Sequence, residues 1–173
     1  KTAYDGIIST GWLTAYARTF TDIPYSKEFF EELEKIHQAS GNANVLAEMK
    51  GTKMAPSFEA RYKLINKLFR QAGINQVLEI AAGLSTRGTE LSLDDSIEYV
   101  ELDLPAMMVD KRKVLKAIED KGILKVGSNL HLENGNALNL KDIVRATKHF
   151  RLGEPIVVVN EGFMRYLTFP EKE

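Results

Sequence analysis

Acidic side chains and a small-residue turn occur where they could hold a nucleotide-like ligand. Glu79 precedes a turn that contains Ala81 and Gly83, and Glu101 and Asp103 end the next apolar segment. A carboxylate at the end of a strand can accept hydrogen bonds from ribose hydroxyls, and small turn residues let a ligand approach the backbone. This order of strand, turn, helix and acid-ended strand is typical of the adenosine-binding half of a doubly wound fold.

The elements that must position these groups alternate between strand and helix from residue 76 onward. The predicted strands span residues 76–81, 97–102, 129–132 and 155–160, and the predicted helices between them span 86–91, 105–121 and 140–150. Such alternation predicts a parallel sheet with right-handed crossovers, here in the order 3-2-1-4. The continuous apolar run at 156–159 predicts a fourth strand that is covered on both faces.

Three helical patterns precede the sheet, at residues 10–21, 26–39 and 57–71. Ser26 and Ser57 are predicted N-caps, and Gly73 is predicted to end the third helix. A further short helix is predicted at 45–49 and a loop at 51–56. We expect residues 1–56 to form an N-terminal helical cap and 57–173 to form part of a Rossmann-like cofactor-binding core. Because domains of this type usually continue after the fourth strand, we expect the chain to be a fragment of a longer protein.

Composition is ordinary for a globular protein and excludes several kinds of site. The chain has 173 residues with 44% hydrophobic residues, a net charge of -1 and no cysteine. It therefore forms no disulfide or thiolate site, and no overall charge attracts it to nucleic acid or an anionic membrane. The three histidines lack metal-ligand spacing, and no apolar run has the length of a membrane span. We expect a cytoplasmic protein without a metal ion.

The turn after the first strand distinguishes between cofactors. A dinucleotide enzyme has the pattern Gly-x-Gly-x-x-Gly, whereas the matching positions here are Ala81, Gly83 and Thr86. A pyrophosphate needs close backbone approach, which the bulkier residues hinder. A nicotinamide-dependent oxidoreductase is therefore a weaker hypothesis. A non-catalytic binding or assembly module that retains the fold is a second alternative.

Three segments resemble motifs of one enzyme family. Residues 77–87 (VLEIAAGLSTR) resemble the G-A-G-x-D-T-R turn of the leucine carboxyl methyltransferase family and its bacterial polyketide O-methyltransferase relatives. Residues 99–105 (YVELDLP) resemble that family's E-x-D-x-P motif, and residues 161–168 (EGFMRYLT) resemble its E-G-x-x-x-Y-L-T motif. The motifs occur in the family's order, and the resemblance covers residues 61–168. It departs from the family at Ala81, Ser85 and Asn136.

The resemblance implies a class I methyltransferase core that uses S-adenosylmethionine without a metal ion. The chemistry would be in-line attack on the sulfonium methyl by an oxygen atom of a small molecule or a peptide end. A carboxylate acceptor is already ionised at neutral pH and needs no base, whereas a hydroxyl acceptor would need one. We therefore expect O-methylation, with a carboxylate favoured over a hydroxyl.

Several residues receive roles from this resemblance. The predicted cofactor-binding residues are Arg61, Glu79, Ala81, Gly83, Glu101, Asp103, Asn136, Ala137 and Glu161. Arg61 would hold the cofactor's carboxylate, because a guanidinium can pair with both oxygens. Asp103 would hold the ribose, and Glu161 would lie close to the amino group or the sulfonium. Ala81 and Gly83 would line the methionine portion, and Asn136 and Ala137 would lie near the adenine.

Two features with basic residues admit more than one interpretation. Arg87 is a candidate for orienting a substrate carboxylate, although a structural pair with Glu90 or Asp94 is an equal alternative. The helix predicted at 105–121 carries a basic run whose members are Lys111, Arg112, Lys113 and Lys116. A solvated helix face explains this run better than a nucleic-acid patch does.

Overall fold

A computed structural model describes residues 5–39 and 52–172. The helices are α1 Asp5–Arg18, α2 Ser26–Ala39, α3 Ala55–Ala72, α4 Arg87–Leu91, α5 Pro105–Asp120 and α6 Leu140–Ala146. The strands are β1 Gln76–Ile80, β2 Glu98–Asp103, β3 Leu130–Asn134 and β4 Val157–Asn160. Short 3-10 helices span Thr52–Met54, Thr147–His149, Phe163–Tyr166 and Pro170–Lys172. The helix predicted at 45–49 lies outside the described residues.

The four strands form an all-parallel sheet in the order β3-β2-β1-β4, which confirms the predicted order. β1 lies between β2 and β4, and Glu79 pairs in register with Glu101 on one side and Val159 on the other. The fold is therefore α/β and Rossmann-like. Since all strands are parallel, the loops that leave their carboxyl ends meet at one edge of the sheet, where such folds bind ligands.

Side chains alternate between the two faces of the sheet and bury each face against different helices. On one face, Val77 and Tyr99 pack with Phe69 of α3 and Leu91 of α4. On the other face, Leu78 and Val100 belong to a cluster with Ala146 of α6. The intervening helices thereby cover both faces of the central strands.

The first two helices pack in one cluster with α5, and Leu130 and Leu132 of β3 pack against the same cluster. Trp12 of α1 and Phe29 and Leu33 of α2 form one buried cluster with Val114 and Ile118 of α5. This packing joins the predicted helical cap to the core through a shared apolar cluster. The division at residue 56 stays a prediction.

Several helix ends and caps differ from the predictions, and the helix predicted at 10–21 spans Asp5–Arg18. Helix α3 begins at Ala55 with a proline in its first turn and receives no side-chain cap, so the prediction of Ser57 as N-cap is wrong. The prediction of Ser26 as N-cap is also wrong, because Ser26 lies within α2 and its hydroxyl donates to the carbonyls of Arg18 and Ile23, at 3.0 and 2.8 Å. Helix α6 ends at Ala146 and continues as a 3-10 turn. Gly73 ends α3 as predicted, with a φ of 63°.

Strand β4 is less covered than its apolar sequence predicts. Val159 is buried, but Val158 on the opposite face is 61% exposed. Among the described residues β4 is an edge strand of the sheet. The prediction that both its faces are covered is therefore wrong for the described part of the chain.

No helix within residues 5–39 and 52–172 is both long enough and apolar enough to cross a membrane.

Candidate functional site

The turn after β1 has the backbone that its small residues predict. Ala81 has a φ of 52° and Gly83 a φ of 58°, both in the left-handed region. That conformation costs a residue with a Cβ about 1 to 2 kcal/mol but suits glycine. The backbone N–H of Gly83 donates to Asp103 Oδ2 at 2.6 Å, which fastens this turn to the end of β2.

Asp103 lies at the carboxyl end of β2 and connects two loops. Its Oδ1 accepts from the N–H of Leu104 at 2.6 Å while its Oδ2 holds Gly83, and the residue is only 7% exposed. Burial raises the pKa of this carboxyl, against the opposing effect of the two backbone N–H donors. A carboxylate has about four acceptor positions, so two remain for the hydroxyls of a ligand.

The other two strand acids lie inside the protein. Glu79 accepts from the Tyr99 hydroxyl at 2.8 Å and forms an ion pair with Arg87. Glu101 is 0% exposed and forms an ion pair with Lys111. Burial raises the pKa of Glu101 to about 7, although the neighbouring lysine opposes the shift. The positions of Glu79 and Glu101 favour a structural role beneath the site over direct contact with a cofactor.

Arg87 begins α4 and is 1% exposed. Its Nε donates to Asn66 Oδ1 at 3.0 Å, its Nη1 pairs with Glu79, and its Nη2 donates to Glu161 Oε2 at 2.6 Å. Burial disfavours its charge, but Glu79 and the other groups around it hold the pKa of Arg87 above the ordinary value. The pair with Glu90 or Asp94 considered from the sequence does not form.

The same burial bears on the hypothesis that Arg87 orients a substrate. Glu90 does not pair with Arg87 but accepts from the Tyr62 hydroxyl and from Asn66 Nδ2, the latter at 3.2 Å. Arg87 thus connects β1 and α3 with the loop after β4, with almost no exposed surface of its own. Its position supports a structural role rather than direct contact with a substrate.

Glu161, directly after β4, is surrounded by three arginines from three different elements. In addition to Arg87 of α4, Arg61 of α3 lies 3.2 Å from its Oε1, and Arg18 of α1 lies 3.9 Å from the same atom. Burial raises the pKa of this carboxyl, but Arg18, Arg87 and Arg61 outweigh burial and hold it below the ordinary value. We call Arg18, Arg61, Arg87 and Glu161 the arginine cluster.

Arg61 is the arginine of this cluster that solvent reaches most readily. Its side chain is 39% exposed, and its guanidinium lies over the Phe58 ring at 4.8 Å from the centroid. Stacking on the ring orients the guanidinium while leaving part of it open to solvent. A ligand carboxylate could therefore reach it.

Asn136 and Ala137 follow β3 at the same edge of the sheet, and both are partly buried. Asn136 Oδ1 accepts from the N–H of Leu138 at 2.9 Å, and its own N–H donates to Asp142 Oδ2 at 2.9 Å. The loop is thereby held in one conformation against the start of α6.

The burial of two basic residues, Lys111 and Arg18, was not predicted from the sequence. Lys111 belongs to the basic run that was interpreted as a solvated helix face. That interpretation is wrong for Lys111, because its side chain is fully buried and its Nζ donates to Ser85 O at 2.6 Å. Its place in the apolar stripe with Met107, Met108, Val114 and Ile118 is the signal that could have identified it. Arg18 has a similar signal, because it lies three residues after buried Ala15, which itself lies three residues after buried Trp12.

The described residues contain no group of three or more histidine, aspartate or glutamate side chains arranged to hold a metal ion. His131 and His149 stack at 3.8 Å between ring centroids, and His37 lies 3.2 Å from Asp110 of α5.

A family model described as leucine carboxyl methyltransferase matches residues 15–173. The chain belongs to the leucine carboxyl methyltransferase family. The match includes the turn after β1, the acidic end of β2 and the segment that begins at Glu161. The leucine carboxyl methyltransferase family comprises S-adenosylmethionine-dependent methyltransferases, so membership indicates methyl transfer on a Rossmann-like core. A comparison with curated proteins found no match to the chain.

Proposed function

We propose that this protein is an S-adenosylmethionine-dependent O-methyltransferase whose acceptor is a carboxylate on a small molecule or a peptide end. The arginine cluster is the observation that carries the proposal. It places three guanidinium groups around one carboxylate at the edge of the sheet where parallel folds bind ligands. Even with Glu79 counted as a partner of Arg87, the cluster keeps one excess positive charge.

The residues present fit the cofactor. S-adenosylmethionine supplies an electrophilic methyl group on its sulfonium. Arg61 would bind its carboxylate, and Glu161 would bind its ammonium group. Asp103 would accept hydrogen bonds from the ribose hydroxyls while it continues to hold Gly83. Ala81 would border the methionine portion.

The adenine would lie beside Asn136 and Ala137, in the loop that Asp142 holds in place. Glu79, Glu101 and Arg87 would act indirectly, by fixing the turn after β1 and the segment after β4. Their ion pairs connect the elements that carry the ligand-binding groups.

An anionic acceptor suits the charges at this edge. The excess positive charge attracts an anion, and an ionised carboxylate attacks without losing a proton. All three histidines of the chain have partners away from the cluster, so the commonest general base is not positioned there. Catalysis would come from alignment of the acceptor oxygen and from exclusion of water.

The first experiment measures cofactor binding by isothermal titration of S-adenosylmethionine, S-adenosylhomocysteine and NAD. We expect saturable binding of the first two and none of NAD. Binding of NAD alone would favour the oxidoreductase alternative. Absence of binding for all three by a folded sample would favour a non-catalytic module.

The second experiment identifies the acceptor chemistry with methyl-labelled S-adenosylmethionine and a panel of carboxylic acids, peptide carboxyl ends and phenols. Methyl esters release labelled methanol in mild base, whereas methyl ethers do not. Base-labile label on a carboxylic acid or peptide is the expected result. Base-stable label on a phenol would replace the carboxylate with a hydroxyl acceptor.

A further inference from the structure

Lys111 of α5 is a lysine whose side chain has no exposed surface. Its ammonium group forms an ion pair with Glu101, and both side chains are 0% exposed. Among the described residues no other cation lies within ion-pair distance of Glu101. Lysine is almost never fully buried unless it is paired, and an apolar pair of similar volume often stabilises a protein at least as well as a buried ion pair. Stability alone therefore does not explain why this position carries a lysine.

The other partner of Lys111 is a backbone group of the turn after β1. Its Nζ donates to the carbonyl oxygen of Ser85 at 2.6 Å, and Ser85 is itself only 2% exposed. The N–H of Ser85 donates to the carbonyl of Ala82 at 3.3 Å, and its hydroxyl accepts from the N–H of Arg87 at 3.2 Å. Ser85 thus joins the turn to the start of α4. A hydrogen bond from a charged group to its carbonyl fixes the place of that junction.

The segment from β2 to α5 holds the turn at two points of opposite polarity. At the end of β2, Asp103 accepts from the N–H of Gly83 at 2.6 Å, and in α5 Lys111 donates to the carbonyl of Ser85. Gly83 has a φ of 58°, and a glycine leaves the backbone free to adopt other conformations unless it is anchored. The two anchors together fix the position and the orientation of the peptide groups between them.

Lys111 is placed to act through this turn and not by contact with a ligand. Its side chain is fully buried, whereas the basic residues that follow it, Arg112 and Lys113, are exposed. The charge of Lys111 is balanced by the equally buried Glu101. Its effect on a ligand must therefore pass through the backbone that it holds.

We propose that Lys111 is a positioning residue of the cofactor site, which holds the turn after β1 in its binding conformation through the carbonyl of Ser85 while Glu101 balances its charge. This inference rests on the proposed function, in which the turn borders the methionine portion of the cofactor. A site that is held rigidly before the ligand arrives binds at a lower entropic cost than one that must be ordered by the ligand.

The test separates a positioning role from a purely structural one with two variants of the full chain, Lys111→Met and the double variant Lys111→Met with Glu101→Gln. Methionine removes the donor but keeps an unbranched side chain. The double variant also removes the charge that Lys111→Met leaves unpaired at Glu101. Lys113→Met is the control for loss of a lysine from α5, because Lys113 is exposed. Isothermal titration of S-adenosylhomocysteine measures affinity, and thermal unfolding without ligand measures stability.

We expect Lys111→Met to lower both the unfolding temperature and the affinity, the latter about tenfold. The double variant should unfold at a higher temperature than Lys111→Met, because the unpaired buried charge is gone. Its affinity should nevertheless stay about tenfold below that of the wild type, because Ser85 still lacks its donor. Amide hydrogen exchange of residues 81–87 without ligand should be faster in both variants than in the wild type. The control should match the wild type in all three measurements.

Other outcomes would overturn the role of Lys111. Affinity that recovers together with stability in the double variant would show that binding only follows folding. Wild-type affinity in both variants would also overturn the positioning role and leave the proposed function standing. If Lys111→Met does not fold, the affinity of the double variant decides in the same way. Failure of the wild type to bind S-adenosylmethionine and S-adenosylhomocysteine would overturn the proposed function and this inference together.

Discussion

Arg87 Nη2 donates to Glu161 Oε2 at 2.6 Å, and this bond fastens the segment after β4 to the first residue of α4. Because Nη1 of the same guanidinium pairs with Glu79 of β1, one buried side chain holds together the carboxyl ends of two adjacent strands. Glu161 is thereby presented to Arg18 and Arg61 in a fixed position. Preorganisation of this kind lowers the cost of binding a zwitterionic ligand at the edge of the sheet.

Replacement of Arg87 by methionine should destabilise the protein strongly. It would leave Glu79 and Glu161 buried without their shared partner, and breaking a buried ion pair from one side costs about 3 to 5 kcal/mol. Urea denaturation measures the change in the free energy of unfolding. Arg145→Met is the control, because Arg145 is half exposed, and we expect a change of less than about 1 kcal/mol there.

The double variant Arg87→Met with Glu79→Gln should recover part of the stability that Arg87→Met loses. The neutral amide removes one of the two unpaired charges but leaves Glu161 in place. A double variant as unstable as the sum of its single variants would contradict the coupling between Arg87 and Glu79.

Asp103→Ala should weaken binding of S-adenosylhomocysteine by about 1 to 3 kcal/mol, the usual cost of leaving polar partners unpaired. The variant also leaves the N–H groups of Gly83 and Leu104 without an acceptor, so its fold must be checked by circular dichroism. Asp94→Ala changes an aspartate in an exposed loop and should not affect affinity. An unchanged affinity in folded Asp103→Ala would show that Asp103 does not hold the ribose.

The sheet order and the motif positions could be predicted because they depend on local patterns. Alternating strands and helices with right-handed crossovers leave few arrangements, and the observed order β3-β2-β1-β4 is the one expected. Gly83 was recognisable because only a small residue with a positive φ suits its turn. These features are determined within a few residues of the motif itself.

The positions of buried charges could not be predicted in the same way. Acids near strand ends resemble ligand-binding groups in a sequence, but the register of β1 and β2 places Glu79 and Glu101 side by side beneath helices. The packing of α4 on Glu101 also needs Gly88, because a Cβ at position 88 would collide with Glu101 Oε1 and lie 2.9 Å from Tyr99 Cδ1. Such contacts depend on tertiary packing between distant segments.

Glu101 should make stability depend on pH between its ordinary pKa of 4.5 and its value of about 7 in the folded protein. In that range the folded state binds a proton more tightly than the unfolded state, so the contribution of Glu101 to stability falls as pH rises. The full loss is on the order of 3 kcal/mol. Below pH 4.5 both states are protonated, and above pH 7 the loss is complete.

Urea denaturation of the wild type and Glu101→Gln at pH 5 and pH 8 measures this effect. The glutamine does not titrate, so the wild type should lose stability relative to the variant between the two pH values. Titrating groups that do not interact with Glu101 are common to both proteins and cancel in the comparison. A difference that is the same at both pH values would show that Glu101 keeps an ordinary pKa in the folded protein.

Ala81→Gly should stabilise the protein or leave its stability unchanged, whereas Ala82→Gly should destabilise it. Ala81 has a φ of 52°, so glycine removes a strain of about 1 kcal/mol that roughly offsets its greater freedom in the unfolded chain. The neighbouring Ala82 is buried and lacks a positive φ. Glycine there would remove a buried methyl and increase the conformational entropy of the unfolded chain, at a cost of about 1 kcal/mol or more. Thermal unfolding of both variants measures the difference.

Because Ala81 would border the methionine portion of the cofactor, loss of its methyl should also tighten binding of S-adenosylhomocysteine in titration. Equal destabilisation by both substitutions would contradict the strained turn, and weaker binding by Ala81→Gly would show that the methyl makes a favourable contact.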